Sequence, residues 1–101
     1  MLIAFVLSLA FGAPAAVTGV VRDTSGAAVA GATVLVRAGV VTEQAVTHDD
    51  GRFDIGVSAA GDVVVTVRAP GFADRQVRIS AGGPLDGLEI VLSPARITES
   101  L

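Results

Sequence analysis

One cluster in this chain has the residue types for metal chemistry: His48, Asp49 and Asp50, with Asp54 four residues further on. Calcium gathers about six to eight oxygen ligands, and a helix–loop–helix calcium site needs acids two and four residues before Asp50. Those places hold His48 and Val46. The residues that remain as calcium candidates are Asp49, Asp50 and Asp54, of which two share a turn. The same residues read equally as turn formers, because Asp-Gly at Asp50-Gly51 accepts the positive φ that a tight hairpin requires. Zinc fares worse. The chain has 1 His and 0 Cys, so several carboxylates would have to converge on one imidazole.

Covalent catalysis needs a nucleophile beside a base. The run Gly56-Val57-Ser58-Ala59-Ala60 resembles a nucleophile elbow, but its last position is Ala and no helical pattern follows. With so little titratable machinery, no catalytic residue, no cofactor-binding residue and no enzyme activity is expected.

Composition narrows the partners. Seven basic and 10 acidic residues give a net charge of −3, and every basic residue is an Arg. The signs are interspersed, whereas nucleic acid demands a concentrated basic patch. Of the 4 Phe, two fall in the first eleven residues, and there is no Trp and no Tyr. Platforms for stacking sugars or bases are therefore not expected. A charge of −3 leaves protein partners open, since net charge governs steering more than identity.

The elements that must carry these residues are strands. Met1–Phe11 is an apolar run followed by Ala13-Pro14-Ala15, small residues where a signal peptidase cuts. It falls short of the roughly 20 apolar residues that span a bilayer. A secretory signal peptide over 1–15 is the expectation, with no transmembrane helix in the mature chain. No Lys or Arg precedes Leu2, so an upstream start or an apolar first strand are the competing readings. After it, period-two runs alternate with turn residues. Val17, Gly19 and Val21 share one face. Ala32, Val34 and Val36 share the inner face of a second strand. Val41–Thr47 is polar enough for an edge. Phe53, Ile55 and Val57 line a fourth strand after the Asp49-Asp50-Gly51 hairpin turn. Val63, Val65 and Val67 mark a central fifth strand, stopped by Pro70-Gly71. Val77 and Ile79 face inward on a sixth strand, Phe72–Ser80, with Arg75, Gln76 and Arg78 outward. Leu88, Ile90 and Leu92 form the seventh. Val34–Gly39 echoes Val65–Gly71, either as a duplicated half-domain or as two strands under the same constraints.

Seven short strands with regular turns predict an all-β fold, a seven-stranded antiparallel Greek-key sandwich of transthyretin-like or immunoglobulin-like form. With 0 Cys there is no disulfide framework, and the core alone must hold it. The domain is expected over 16–93, with 94–101 a linker or tail.

Taken together, V-T-G-V-V-R-D-T-S-G-A-A-V-A-G-A-T-V-L-V (Val17–Val36), T-H-D-D-G-R-F-D-I (Thr47–Ile55) and V-T-V-R-A-P-G-F (Val65–Phe72) resemble a carboxypeptidase regulatory-like domain. The matching positions are Gly19, Val21, Gly31, Ala32, Val34, Thr47, Gly51, Phe53, Gly71 and Phe72, within about Val17–Leu92. The resemblance implies a transthyretin-like sandwich without an active site. Such domains are appendages of metallocarboxypeptidases and N-terminal extensions of TonB-dependent outer-membrane receptors. Ile97-Thr98-Glu99-Ser100-Leu101 is faintly similar to the start of a TonB-box segment; a plain C-terminal tail is the alternative. The resemblance therefore implies an exported, non-catalytic module in the bacterial periplasm or at the outer membrane. Its partner would be a protein or a covalently following domain, reached through loops or by strand addition at Val41–Thr47. The alternatives are an accessory domain of a secreted metallocarboxypeptidase or other hydrolase, or a free-standing adhesive or carbohydrate-binding domain. Hydroxyisourate hydrolases share a transthyretin-like fold but carry a terminal Tyr-Arg-Gly-Ser motif, and this chain has no Tyr.

Overall fold

Valine dominates the strands because a β-branched side chain packs well on a pleated, half-buried surface. The computed structural model describes residues 13–59 and 61–96. Seven strands are formed: β1 (Ala13–Asp23), β2 (Thr33–Ala38), β3 (Val41–Val46), β4 (Arg52–Ala59), β5 (Val63–Arg68), β6 (Arg75–Ile79) and β7 (Leu88–Leu92). They make two sheets, one of three strands in the order β4-β1-β7 and one of four in the order β3-β2-β5-β6. The expected signal peptide, apart from Ala13–Ala15, and the TonB-box-like Ile97–Leu101 lie outside the described residues, as does Ala60 of the turn after β4.

The core lies between the sheets. Val17, Val21, Ala32, Val34, Val36, Val65, Val67 and Leu92 are wholly excluded from solvent, and Phe53, Ile55, Val63 and Ile90 nearly so. Each Val or Ile buried in this way favours folding by about 1.5–3 kcal/mol. The alternation read from the sequence places these side chains correctly on β1, β2, β4, β5 and β7. β5 lies between β2 and β6, inside its sheet as expected. The sequence echo has a structural counterpart. Its two segments are neighbouring antiparallel strands, with Val34 opposite Val67 and Val36 opposite Val65.

Four features differ from expectation. First, the sandwich is not wholly antiparallel: β7 pairs parallel to β1, from Gly19 opposite Leu88 to Asp23 opposite Leu92. No short turn joins the first strand to the last, so no hairpin dictates their relative direction. Second, β1 begins at Ala13 rather than Val17, with Ala13 opposite Ala59 and Pro14 opposite Ser58. Proline is tolerated there for a local reason. The N–H of Thr18 points away from β4, to the carbonyl of Leu85 at 2.9 Å. By alternation the nitrogen of Pro14 points the same way, beyond the reach of β7, and no ladder bond is lost.

Third, the Asp49-Asp50-Gly51 turn is tight, with Gly51 N–H donating to the His48 carbonyl at 2.9 Å, but it does not close a hairpin. It carries the chain from β3 in one sheet to β4 in the other. Fourth, the sixth strand is shorter than expected, and Arg75 is opposite Val67 in the row that includes Val77 and Ile79. Arg75 escapes burial because β6 is the edge of its sheet. Past β7 the pairing continues: Ala73 N–H donates to Ser93 O and Ala95 N–H to Gly71 O, both at 2.9 Å.

Candidate functional site

Of the polar residues that the sequence singled out, Asp54 and Ser58 stand on the outer face of the three-stranded sheet, and His48, Asp49 and Asp50 lie in the turn that leads into it. Asp54 lies opposite Thr18, and Arg52 opposite Val20. Val20 is in turn opposite Glu89 on β7. Together with His48 these residues line an open depression of about 450 Å³. Its charges are partly self-paired at the surface. Arg22 Nε stands 3.8 Å from Glu89 Oε1, and Arg52 Nε 3.5 Å from Asp50 Oδ2. Such exposed pairs contribute little to stability, roughly 0–1 kcal/mol each.

The three calcium candidates are held in different ways. Asp50 Oδ1 accepts the Arg52 backbone N–H at 3.0 Å, an Asx turn that shapes the loop. Asp49 is exposed in the same turn, and Asp54 lies on the outer face of β4. Among the described residues no group of three or more His, Asp or Glu side chains converges as metal ligands would. His48 is exposed, and its backbone N–H donates to the Arg52 carbonyl at 2.9 Å. Ser58 is exposed on β4 opposite Pro14, which offers no base.

A second region lies where the two sheets part. β3 is an edge of the larger sheet and β4 an edge of the smaller. Between them Pro14, Ala38, Val41, Glu43, Val57 and Ser58 line a cleft of about 310 Å³. β3 itself is exposed along nearly its whole length.

The sequence marks Thr47 only as a position of the family motif, yet among the described residues it is the buried polar side chain. Thr47 is buried, 5% exposed. Its Oγ1 donates to the Val29 carbonyl at 2.7 Å and accepts the Ala32 N–H at 2.9 Å. Its own N–H donates to the Ala32 carbonyl at 2.9 Å, and its carbonyl accepts the Gly31 N–H at 3.1 Å. The signal available in the sequence was a Thr ending a polar strand just before the Asp-Gly turn.

The Asp23–Ala28 loop is organised by one carboxylate. Asp23 Oδ1 accepts the Ser25 hydroxyl at 2.5 Å, the Ser25 N–H at 2.8 Å and the Ala27 N–H at 3.0 Å. The Ser25 hydroxyl first, then the Ala27 N–H, hold its pKa below the ordinary value of 3.8.

The fold and these surfaces define a class: a two-sheet β module whose described residues assemble loops and an open edge, with no nucleophile and base set against each other. The chain belongs to the carboxypeptidase regulatory-like domain family, whose model matches residues 16–93. That family is a regulatory, non-catalytic type of domain. A search of curated proteins finds no match.

Among solved structures, the fold resembles hydroxyquinol 1,2-dioxygenase from Pseudomonas putida DLL-E4, with a TM-score of 0.68 at 15% identity, covering 83% of this chain and 57% of that one. Catechol 1,2-dioxygenase from Acinetobacter sp. ADP1 gives 0.68 at 11% identity, over 89% of this chain and 57% of the other. The dioxygenase domain of a dioxygenase–carbohydrate-binding protein fusion from Streptomyces sp. SirexAA-E gives 0.64 at 18% identity, over 89% and 86%. At these identities the likeness is one of fold alone. The chain spans under two thirds of the length of the first two enzymes.

Proposed function

We propose that this chain is an exported, non-catalytic β-sandwich module that works through protein interaction, as an N-terminal periplasmic extension of a TonB-dependent outer-membrane receptor. The observation that carries the reading is the parallel pairing of β1 with β7. With the expected cut after Ala15, β1 starts at Ala16, opposite Gly56, and Leu92 closes β7 at the opposite end, beside Asp23. The chain thus enters the sandwich at one end and leaves it at the other. Such a module can be inserted in line between a leader and a following domain without doubling back. The loops beside the point of exit are the Asp23–Ala28 loop, the His48–Gly51 turn and the Pro70-Gly71 turn, so a following domain would meet them first. Edge strand β3 is the other contact surface, open to strand addition.

The family's name supports a second reading, an accessory domain of a secreted carboxypeptidase or other hydrolase. The coding sequence beyond Leu101 separates the two. A plug and β-barrel support the receptor reading, zinc-peptidase ligand motifs support the hydrolase reading, and a cytosolic enzyme domain contradicts both. The dioxygenase likeness favours no redox activity here, since the chain has 1 His, 0 Cys and 0 Tyr for ligating a catalytic metal.

A further inference from the structure

Strand β3 exposes a row of unused backbone groups, and their phase in the ladder is fixed. Thr47 N–H donates to Ala32 O, so Ala32 and Thr47 form a hydrogen-bonding pair. The register runs on without a bulge through Val34–Ala45 and Val36–Glu43 to Ala38–Val41. Hydrogen-bonded and non-bonded pairs alternate in an antiparallel ladder. The N–H and C=O groups of Thr42, Gln44 and Val46 therefore point away from β2, into solvent. The strand begins at a two-residue turn with Gly39 at φ +62°, the position that a type II′ turn gives to glycine.

Edge strands are normally blunted by proline, lysine, bulges or inward-facing charge. β3 has no proline, lysine or bulge, and its single blunting device is Glu43, in the row that faces the core. Val41 and Val46 are 52% and 54% exposed, and Val40 at the turn is fully exposed. The opposite edge of the same sheet differs: β6 carries Arg75 and Arg78, which would repel a second β6.

We propose that β3 pairs antiparallel with β3 of a second copy of this chain, about a two-fold axis at Gln44. In that register Thr42 faces Val46 of the second copy, Gln44 faces Gln44, and Val46 faces Thr42. All three outward-pointing residues of each strand find partners. On the core side Glu43 lies opposite Ala45 of the second copy, so the one charge of the strand meets no like charge. Sliding by one pleat, to Thr42 opposite Gln44, would leave Val46 unpaired and set Glu43 against Glu43, which is destabilising. Sliding the other way, to Gln44 opposite Val46, would set Thr42 against His48, beyond the strand, so only the register centred on Gln44 pairs all three outward-pointing residues, and in it the two four-stranded sheets become continuous across the axis. On the outer face Leu35 flanks Gln44 on each side of the axis, and the two Gln44 amides can exchange hydrogen bonds.

A single six-residue edge buries less than the about 1,200 Å² of a standard stable interface, so the dimer is weak and reversible. Tethering two modules to one membrane or one assembly would raise the effective concentration enough to populate it. The proposal shares with the receptor reading only its use of β3. A strictly monomeric chain would leave the in-line module standing, and a coding sequence without a receptor would leave the dimer standing.

Sedimentation equilibrium on the chain between about 10 µM and 1 mM tests the pairing. The wild type is expected to show a monomer–dimer equilibrium in that range. Gln44→Lys and Gln44→Glu each place like charges on the axis and should each weaken association by about tenfold or more. An equal mixture of the two should associate at least as well as wild type. Unchanged urea midpoints verify that both variants fold. A monomer throughout, two variants that associate like wild type, or a mixture that does not recover would each overturn the proposal. So would capture of an extended peptide by β3 in a chain that stays monomeric.

Discussion

The hydroxyl of Thr47 donates to the backbone carbonyl of Val29 at 2.7 Å, joining the end of β3 to the loop that precedes β2. The same oxygen accepts the Ala32 N–H. One buried side chain thus satisfies a donor and an acceptor that the loop would otherwise bury unpaired. Just after it the chain leaves the larger sheet and crosses to β4. Thr47→Val keeps the shape and removes both bonds. Urea unfolding should register a loss of about 2–4 kcal/mol, since each unsatisfied buried group costs about 1–3 kcal/mol. Thr47→Ser retains the hydroxyl and should recover more than half of that loss. Equal stability of the Val variant and wild type would show that the latch is dispensable.

Gly51 and Gly19 fit where a side chain would not. Gly51 has φ +77°, and a Cβ there would stand 2.5 Å from the Val21 carbonyl oxygen. That approach lets Val21 N–H donate to Gly51 O at 2.8 Å, which ties the turn to β1. At Gly19 a Cβ would come within 2.4 Å of the Leu88 carbonyl and 2.9 Å of the Phe53 ring. Gly51→Ala and Gly19→Ala should each cost more than about 2 kcal/mol by urea denaturation, through strain and overpacking. Gly56 is the control, because nothing lies within 4 Å of its Cβ position. Gly56→Ala should change stability by less than about 0.5 kcal/mol.

Asp23 gives the fold an acid limb. Its folded pKa lies below the ordinary 3.8, chiefly because the Ser25 hydroxyl and the Ala27 N–H bond its charged form. A lowered folded pKa stabilises the native state fully above the unfolded value. That contribution is lost as pH falls through the lowered value. Carboxyl NMR titration should find Asp23 below 3.8, and Ser25→Ala should move it back up. A titration at or above the ordinary value in wild type would contradict this account of the loop.

Calcium should leave the module unchanged. Asp50 is engaged by Arg52, while Asp54 lies on the outer face of β4. Adding about 5 mM calcium should shift the melting temperature by less than about 1 °C, whereas a ligand that binds only the folded state raises it. A rise of several degrees, abolished by Asp50→Asn, would establish a site at the turn.

Much of the fold was legible because its core is built on alternation. Val34, Val36, Val65 and Val67 can only face one way if their strands are half buried, and they do. What escaped the sequence was relational. Nothing local states whether β7 runs with or against β1, since no turn links them. The Asp-Gly turn looks the same whether it returns to its own sheet or crosses to the other; Thr47, bonding across the chain to Val29, accompanies that crossing. Arg75 reads as outward because it is charged, yet its backbone register places it in the inner row at an edge where water reaches it. The calcium candidates were drawn from proximity in sequence, and the alternative reading of Asp50 as a turn former describes its bonds.

The most direct test of the account is to tag the complete gene product in its native cell, fractionate the envelope, and size the polypeptide that carries this module. The account predicts an outer-membrane polypeptide long enough to include a plug and a β-barrel, with the module exposed to the periplasm. A cytosolic polypeptide, or an exported one with no receptor on the same chain, would contradict it.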